Sequence, residues 1–314
     1  MDLKSLPPLP PTLTYLDCSE NNIKSLPPLP PTLTYLDCSC NNIKSLPPLP
    51  PSLAHLDFRH NRIKIAPTLP AGLKELACGG WDLKIFPAIP AGLTKLSFVT
   101  STNLAALPPL PPTLIHLDCS HTRLKVLPEL PPGLVELHCG ANDLTSLPPL
   151  PPTIKHLNCG GNQQLTAMPP LPPTLEWLNC GTNLLTELPP LPPTLTTLCC
   201  DNTKISALPP LPPNLKALYC TGNLLKELPP LPPTLKALYC TSNLLTTLLP
   251  LPPMLKELYC AYNLLTELPP LPPTLETLHC YDNRLAEKPP THANLTTFSQ
   301  RSNTYISKAT ALCA

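Results

Sequence analysis

Apolar and polar positions recur along this chain in a frame of twenty residues. The stretch Leu6 to Ser25 reads LPPLPPTLTYLDCSENNIKS, and Leu26 to Ser45 repeats it with one change. One slot of the frame is filled in turn by Cys18, Cys38, Phe58, Cys78, Phe98, Cys119, Cys139, Cys159, Cys180, Cys200, Cys220, Cys240, Cys260 and Cys280. Eleven of the steps between these residues are twenty long and two are twenty-one. A period in that range is the mark of a solenoid, in which each unit packs only on its neighbours.

The pattern inside a unit predicts its elements. Leu33, Leu36, Cys38, Asn41 and Ile43 follow L-x-x-L-x-C-x-x-N-x-I. Leu36 and Cys38 are two apart, the period of a strand, so both point to one face. Leu33 introduces this short strand and Ile43 closes the turn behind it. The LPPLPP segment that follows lacks amide donors at its prolines, which excludes a helix or a central strand. Polyproline II, at three residues per turn, then places Leu46 and Leu49 on one inward ridge with the prolines facing water. The expected fold class is a solenoid with short parallel β-strands on the concave side, polyproline II segments on the convex side, and little or no helix.

Asparagine recurs at the turn position: Asn21, Asn41, Asn61, Asn142, Asn162, Asn183, Asn223, Asn243, Asn263 and Asn283. A short amide there can pair the backbone groups that a tight turn leaves open. With the cysteines it is expected to form a structural ladder, interrupted at Trp81, Ser101, Thr122 and Thr203. The array is assigned to residues 1–290, about fourteen units. Residues 291–314 are read as a degenerate final repeat and tail, with Leu295, Phe298, Gln300, Asn303 and Tyr305 at the spacings of Leu275, Leu278, Cys280, Asn283 and Leu285. At the other end the frame opens in mid-phrase, so Leu6, Leu9 and Leu13 are expected at an uncapped edge open to self-association.

Composition narrows the function. The 52 prolines would suggest disorder, but disorder has no reason to hold leucines in a fixed frame. A net charge of +1 with 13% charged residues offers little to nucleic acid. Proline interrupts every apolar run before the roughly 18 residues that a membrane span needs. The start, MDLKSLPPLP, lacks the regions of a secretory signal peptide. Of the 15 cysteines, twelve hold the same slot in successive units, where parallel side chains suit a disulfide poorly. Reduced, buried cysteines in a cytoplasmic protein are therefore expected. Cys40 and Cys199 fall beside the slot and are read as ordinary surface thiols. His116, Asp118, His121 and His138 stand close in the frame, yet no zinc-type spacing accompanies them, and neither metal nor cofactor is assigned.

The phrase L-P-x-L-P-x-x-L-x-x-L-x-x-x-x-N-x-L, with LPAGLKEL at Leu69 to Leu76, resembles the bacterial LPX-type leucine-rich repeat over residues 3–305. Similar repeats occur in YopM-like effectors, non-catalytic scaffolds that bind host signalling proteins. They also occur in IpaH-like effectors, where they select substrates for a separate ubiquitin-ligase domain. Three departures stand out: cysteine replaces the last strand leucine, a variant associated with intracellular bacteria and large viruses, and neither the helical leader of these effectors nor the ligase domain is expected in this sequence. The resemblance implies a non-catalytic protein-interaction scaffold, effector-like, acting in the cytoplasm of its producer or of a host cell. Two other readings stay open, an adaptor that selects substrates for a ubiquitin ligase encoded elsewhere and a repeat-expansion protein with no single partner.

Strand residues that do not face the core are the candidates for binding along the concave face. Tyr15, Asp17, Tyr35, Asp37 and Asp57 come first, then His116, Asp118, His138 and Trp177, then Tyr219, Tyr239, Tyr259, Tyr262 and Tyr281. Tyrosine and tryptophan give large contact area at low entropic cost. Duplication alone would also produce stacked tyrosines, each pair worth about 0.5–1.5 kcal/mol.

Overall fold

A computed structural model describes residues 3–80, 88–99 and 106–286, and the backbone of a strand at 297–299. Trp81, Ser101, Asn103 and most of the final repeat, including Gln300 and Tyr305, lie outside the described residues. The chain divides into two compact units, Met1–Ile154 and Lys155–Ala314. The first contains β1 (Tyr15–Asp17), β2 (Tyr35–Asp37), β3 (His55–Asp57), β4 (Glu75–Ala77), β5 (Lys95–Ser97), β6 (His116–Asp118) and β7 (Glu136–His138). The second contains β8 (His156–Asn158), β9 (Trp177–Asn179), β10 (Thr197–Cys199), β11 (Ala217–Tyr219), β12 (Ala237–Tyr239), β13 (Glu257–Tyr259), β14 (Thr277–His279) and β15 (Thr297–Ser299). Within each unit consecutive strands pair in parallel and in phase, so Leu16 lies opposite Leu36 and Leu218 opposite Leu238. Phe298 lies opposite Leu278. All the regular elements among the described residues are strands.

Each strand is three residues long because the backbone turns at both ends. Before it, the Leu33 amide donates to the Pro30 carbonyl at 3.1 Å, closing a turn over Pro31 and Thr32. The same bond recurs from Leu53 to Pro50, Leu195 to Pro192 and Leu255 to Pro252. Proline's fixed φ suits the second residue of such a turn. After the strand, the residue just before the ladder asparagine takes a left-handed conformation. Examples are Glu20 (φ 53°), Cys40 (53°), Thr182 (55°), Ser242 (55°) and Tyr262 (50°), with glycine at Gly161 and Gly222.

The core lies between the strand and the proline segment. Leu33, Leu36, Cys38 and Ile43 are fully buried, as are their counterparts Leu215, Leu218, Cys220 and Leu225. In the proline segment the expected ridge is shifted. Leu188 is buried but Leu191 only half so, whereas Pro192 is buried; Leu26, Leu29 and Pro30 behave alike. The turn that starts at this proline swings it inward in place of the second leucine. At the edge strand β1, Leu13 and Leu16 are only half-buried, because one of their faces lacks a neighbouring unit among the described residues.

Two hydrogen-bonded rows join successive units. Asn41 donates through Nδ2 to the Cys38 and Ser39 carbonyls of its own turn and to the Cys18 carbonyl of the unit before, at 2.9 Å for the last. Its Oδ1 accepts from the Ile23 amide at 2.9 Å. Asn61, Asn142, Asn223, Asn243, Asn263 and Asn283 repeat the bond to the preceding unit's carbonyl. Thr122 and Thr203 keep the bond to their own turn, the single hydroxyl proton lying between the Cys119 or Cys200 carbonyl and Oδ1 of Asn142 or Asn223 in the next unit, but a hydroxyl is too short to reach back to the preceding unit. The second row is absent from the sequence-based expectations. Thr32 lies 2.9 and 2.8 Å from the Pro11 and Leu13 carbonyls of the preceding unit, its single proton shared between them. Ser52, Thr113, Thr153, Thr194, Thr234 and Thr274 do the same. Recurrence of a hydroxyl residue just before the first leucine was the available signal.

Candidate functional site

Alternation along a three-residue strand leaves its first and third side chains on the face opposite the core. In-phase pairing then lines these residues up in two rows. In the first unit the rows begin with aromatic rings: Tyr15, Tyr35 and His55 stack with centroids 4.2 Å apart at both steps. The row continues with His55 Nδ1 at 3.0 Å from Glu75 Oε2, then exposed Lys95, then His116 Nδ1 at 2.9 Å from Glu136 Oε2.

The third-position row is Asp17, Asp37, Asp57, Ala77, Ser97, Asp118 and His138. Its aspartates are partly committed to structure, each accepting through Oδ1 from the amide two residues on. The bonds are Asp17 to Ser19 at 3.0 Å, Asp37 to Ser39 at 2.9 Å, and Asp118 to Ser120 at 3.0 Å. Asp57 is further removed from a partner's reach. It is buried, and Arg59 grips both its oxygens, with Nη2 2.6 Å from Oδ2. That carboxylate holds the Arg59 guanidinium above its ordinary value. Where Ala77 and Ser97 interrupt the aspartates, the short side chains open a depression of about 290 Å³.

The second unit carries the tyrosine column. Tyr219, Tyr239, Tyr259 and His279 face one another across β11 to β14, with ring centroids 4.8, 4.2 and 4.5 Å apart. The Tyr239 hydroxyl donates to the Glu257 carboxylate. Burial, and then that bond, push the Tyr239 phenol well above its usual value, and burial lowers His279. Tyr219 and Tyr239 are only 7% and 3% exposed, and Tyr281 only 3%. They were expected to present contact area; instead Tyr219 and Tyr239 pack on each other and on Ala217 and Ala237, and Tyr281 packs edge-on against Tyr262 and His279. Tyr262 is the exposed tyrosine of this group, at 47%, and Trp177 is half-buried.

The cysteines fall into two classes. The twelve in the slot are buried thiols. Several donate weakly through sulfur to the next strand, as Cys38 Sγ does to the Asp57 carbonyl at 3.4 Å and Cys180 Sγ to the Cys199 carbonyl at 3.4 Å. Burial pushes Cys18 and Cys280 up to about 11 and Cys159 and Cys240 up to about 12, the reverse of what a nucleophile needs. Cys40 is an exposed thiol, as expected. Cys199 corrects the expectation of a surface position: it is fully buried beside Tyr219. Among the described residues no group of three or more His, Cys, Asp or Glu stands where it could hold a metal ion. No helix among them is long and apolar enough to cross a membrane.

Comparison with known proteins agrees with this geometry. A profile of leucine-rich repeats in two copies matches residues 11–51. The leucine-rich effector protein YopM from Yersinia pestis is 37% identical in sequence, over 94% of this chain and 85% of that one, with a TM-score of 0.87. This chain belongs to the YopM-type leucine-rich repeat family. YopM from Yersinia enterocolitica is 32% identical over 94% of this chain and 80% of that one, with a TM-score of 0.65. The functional domain of InlJ from Listeria monocytogenes, described as including a cysteine ladder, is 25% identical over 86% of this chain and 58% of that one, with a TM-score of 0.58. No curated protein sequence matches. The leucine-rich repeat solenoid is typically a non-catalytic binding scaffold, and the YopM-type repeats here resemble effector repeat domains.

Proposed function

We propose that this chain is a non-catalytic scaffold that binds a partner protein along the outer face of its strands. The supporting observation is that the two outer rows are not needed to fill the core, yet carry aromatic and charged side chains at nearly every step. The first unit is the favoured place, because Tyr15 is 55% exposed and the Tyr15–Tyr35–His55 column ends in open charged groups. Rigid rings already stacked lose little entropy when a partner lands on them. The relation to YopM supports an effector-like role, and the buried thiols fit the reducing cytoplasm of a producing or host cell.

The test is affinity capture from the native cell or its host with the intact chain, compared with a Tyr15→Ala, Tyr35→Ala double variant. The expected result is a captured protein whose yield falls at least ~10-fold with the double variant, as for loss of two aromatic anchors. Undiminished capture would remove this placement. A captured ubiquitin ligase would make the chain a substrate adaptor. One observation favours a different reading, a repeat-expansion product: the Tyr219–Tyr239–Tyr259 column is buried in itself, which duplication alone can produce. Absence of any captured partner would favour it.

A further inference from the structure

The depression in the first unit carries a more specific reading, which rests on the proposed use of the strand face for protein binding. Its floor is made by Ala77 and Ser97, the two short residues in a row of aspartates. Around it stand four carboxylates, Asp57, Glu75, Asp118 and Glu136, against two permanent cations, Arg59 and Lys95. Arg59 is spent on Asp57. Asp118 uses one oxygen on the Ser120 amide and pairs with no basic side chain among the described residues. Ser97 is 9% exposed, and its hydroxyl is buried without a hydrogen-bond partner among the described residues. An unpaired buried hydroxyl is unfavourable, so this floor gains from any donor that reaches it.

We propose that this depression seats one basic side chain, an arginine or lysine, carried by an extended segment of a partner protein. Its cation lies between Asp118 and the Ser97 hydroxyl, which turns about χ1 to accept from it. At about 290 Å³ the space is at the small end of ligand sites, which suits a side chain. Lys95 stands exposed at the rim with no ion-pair partner among the described residues. It gives the segment a direction, with its acidic neighbour on the Lys95 side. The excess of carboxylates steers the encounter and makes it salt-dependent.

The experiment is fluorescence anisotropy of labelled peptides of alternating arginine and serine, or glutamate and serine, against the intact chain at low and high salt. Free arginine is added as a competitor in a separate arm. The arginine peptide is expected to bind at least ~10-fold more tightly than the glutamate peptide, and Asp118→Asn to weaken it by ~10-fold, as for loss of one close charge. Glu267→Gln, the same charge change at an exposed site elsewhere, should leave it unaltered. Ala77→Arg supplies a cation from the chain itself and should abolish binding, with far-UV circular dichroism showing the fold retained. Equal binding of the two peptides, or equal effects of Asp118→Asn and Glu267→Gln, overturns the proposal. So does displacement by free arginine at the peptide's own concentration, which would mean a small-molecule site. Capture lost with the Tyr15/Tyr35 variant but kept by Ala77→Arg would leave the strand-face reading standing and remove only the cation seat.

Discussion

Single polar residues do the joining in this molecule, and their cost depends on whether they find partners. Asn41 or Asn243 reaches three carbonyls and an amide across two units from one buried side chain, which the spacing of the asparagines made legible in advance. Asp201 is the opposite case and had no signal in the sequence, since its slot holds serine, glycine or threonine in most other units and arginine, valine, alanine or tyrosine in the rest, never another carboxylate. It is buried, and burial pushes its carboxyl from 3.8 up to about 6, against the lowering effect of the Thr221 amide that it accepts at 2.6 Å. Between those two values the folded chain holds a proton that the unfolded chain has released. Stability therefore falls as pH rises from about 4 to 6 and stays lower above. Asp201→Asn keeps the acceptor and removes the charge. The variant should be more stable than the parent at pH 7.5, by up to about 3 kcal/mol, since each tenfold change in proton affinity is worth about 1.4 kcal/mol. The gain should be gone at pH 4. Urea unfolding at the two pH values measures it, and an equal gain at both would rule out the carboxylate as its cause.

At the scale of the element, the strand was the legible part and the turns were not. The i, i+2 spacing of Leu36 and Cys38 marks a strand whatever else varies. The left-handed residue after it varies from glutamate to cysteine, threonine, serine and tyrosine, so no side-chain type announces it. The shared feature is its place before the ladder asparagine, whose bonds to the turn carbonyls hold the backbone there. Polyproline periodicity likewise foresaw Leu26 and Leu188 inside, but not the inward swing of Pro30 and Pro192, which the following turn imposes. Thr182 is the most strained of the left-handed positions, because a β-branched side chain is least tolerated at φ 55°. Relief of about 1–2 kcal/mol of strain outweighs the extra unfolded-state entropy of glycine, about 0.5–1 kcal/mol. Thr182→Gly should raise the unfolding midpoint, whereas Gly222→Thr, at φ 67° and against Asn202, should lower it. Calorimetry of the two variants gives the signs directly, and a destabilising Thr182→Gly would show that the side chain contributes more than its strain costs.

The molecule as a whole is a sum of like interfaces, so its tolerance is set by phase and not by length. Units meet through the same leucine register, as β11, β12 and β13 show, most of them also through the asparagine bridge, and many through a hydroxyl bridge such as that of Thr234. Stability in such an array is approximately the sum of unit and nearest-neighbour terms. Removal of residues 221–240 joins Cys220 to Thr241, the residue that already follows Cys240. β11 then meets β13 with Leu218 opposite Leu258 and Tyr219 opposite Tyr259, and every interface is one the fold already uses. Removal of 221–241 joins Cys220 to Ser242 and leaves the turn one residue short. The left-handed residue and the asparagine then cannot both reach their places. An extra residue is a different matter: the step from Cys159 to Cys180 is twenty-one long, and its turn takes up Gln163 and Gln164, closing with the Leu165 amide on the Asn162 carbonyl at 2.9 Å. The twenty-residue deletion should therefore fold, with the circular dichroism per residue unchanged and a single thermal transition lowered by a few degrees. The twenty-one-residue deletion should lose far more, although it differs by one residue. Equal behaviour of the two would mean that the turn, and not the register of leucine on leucine, is the adjustable part of the array.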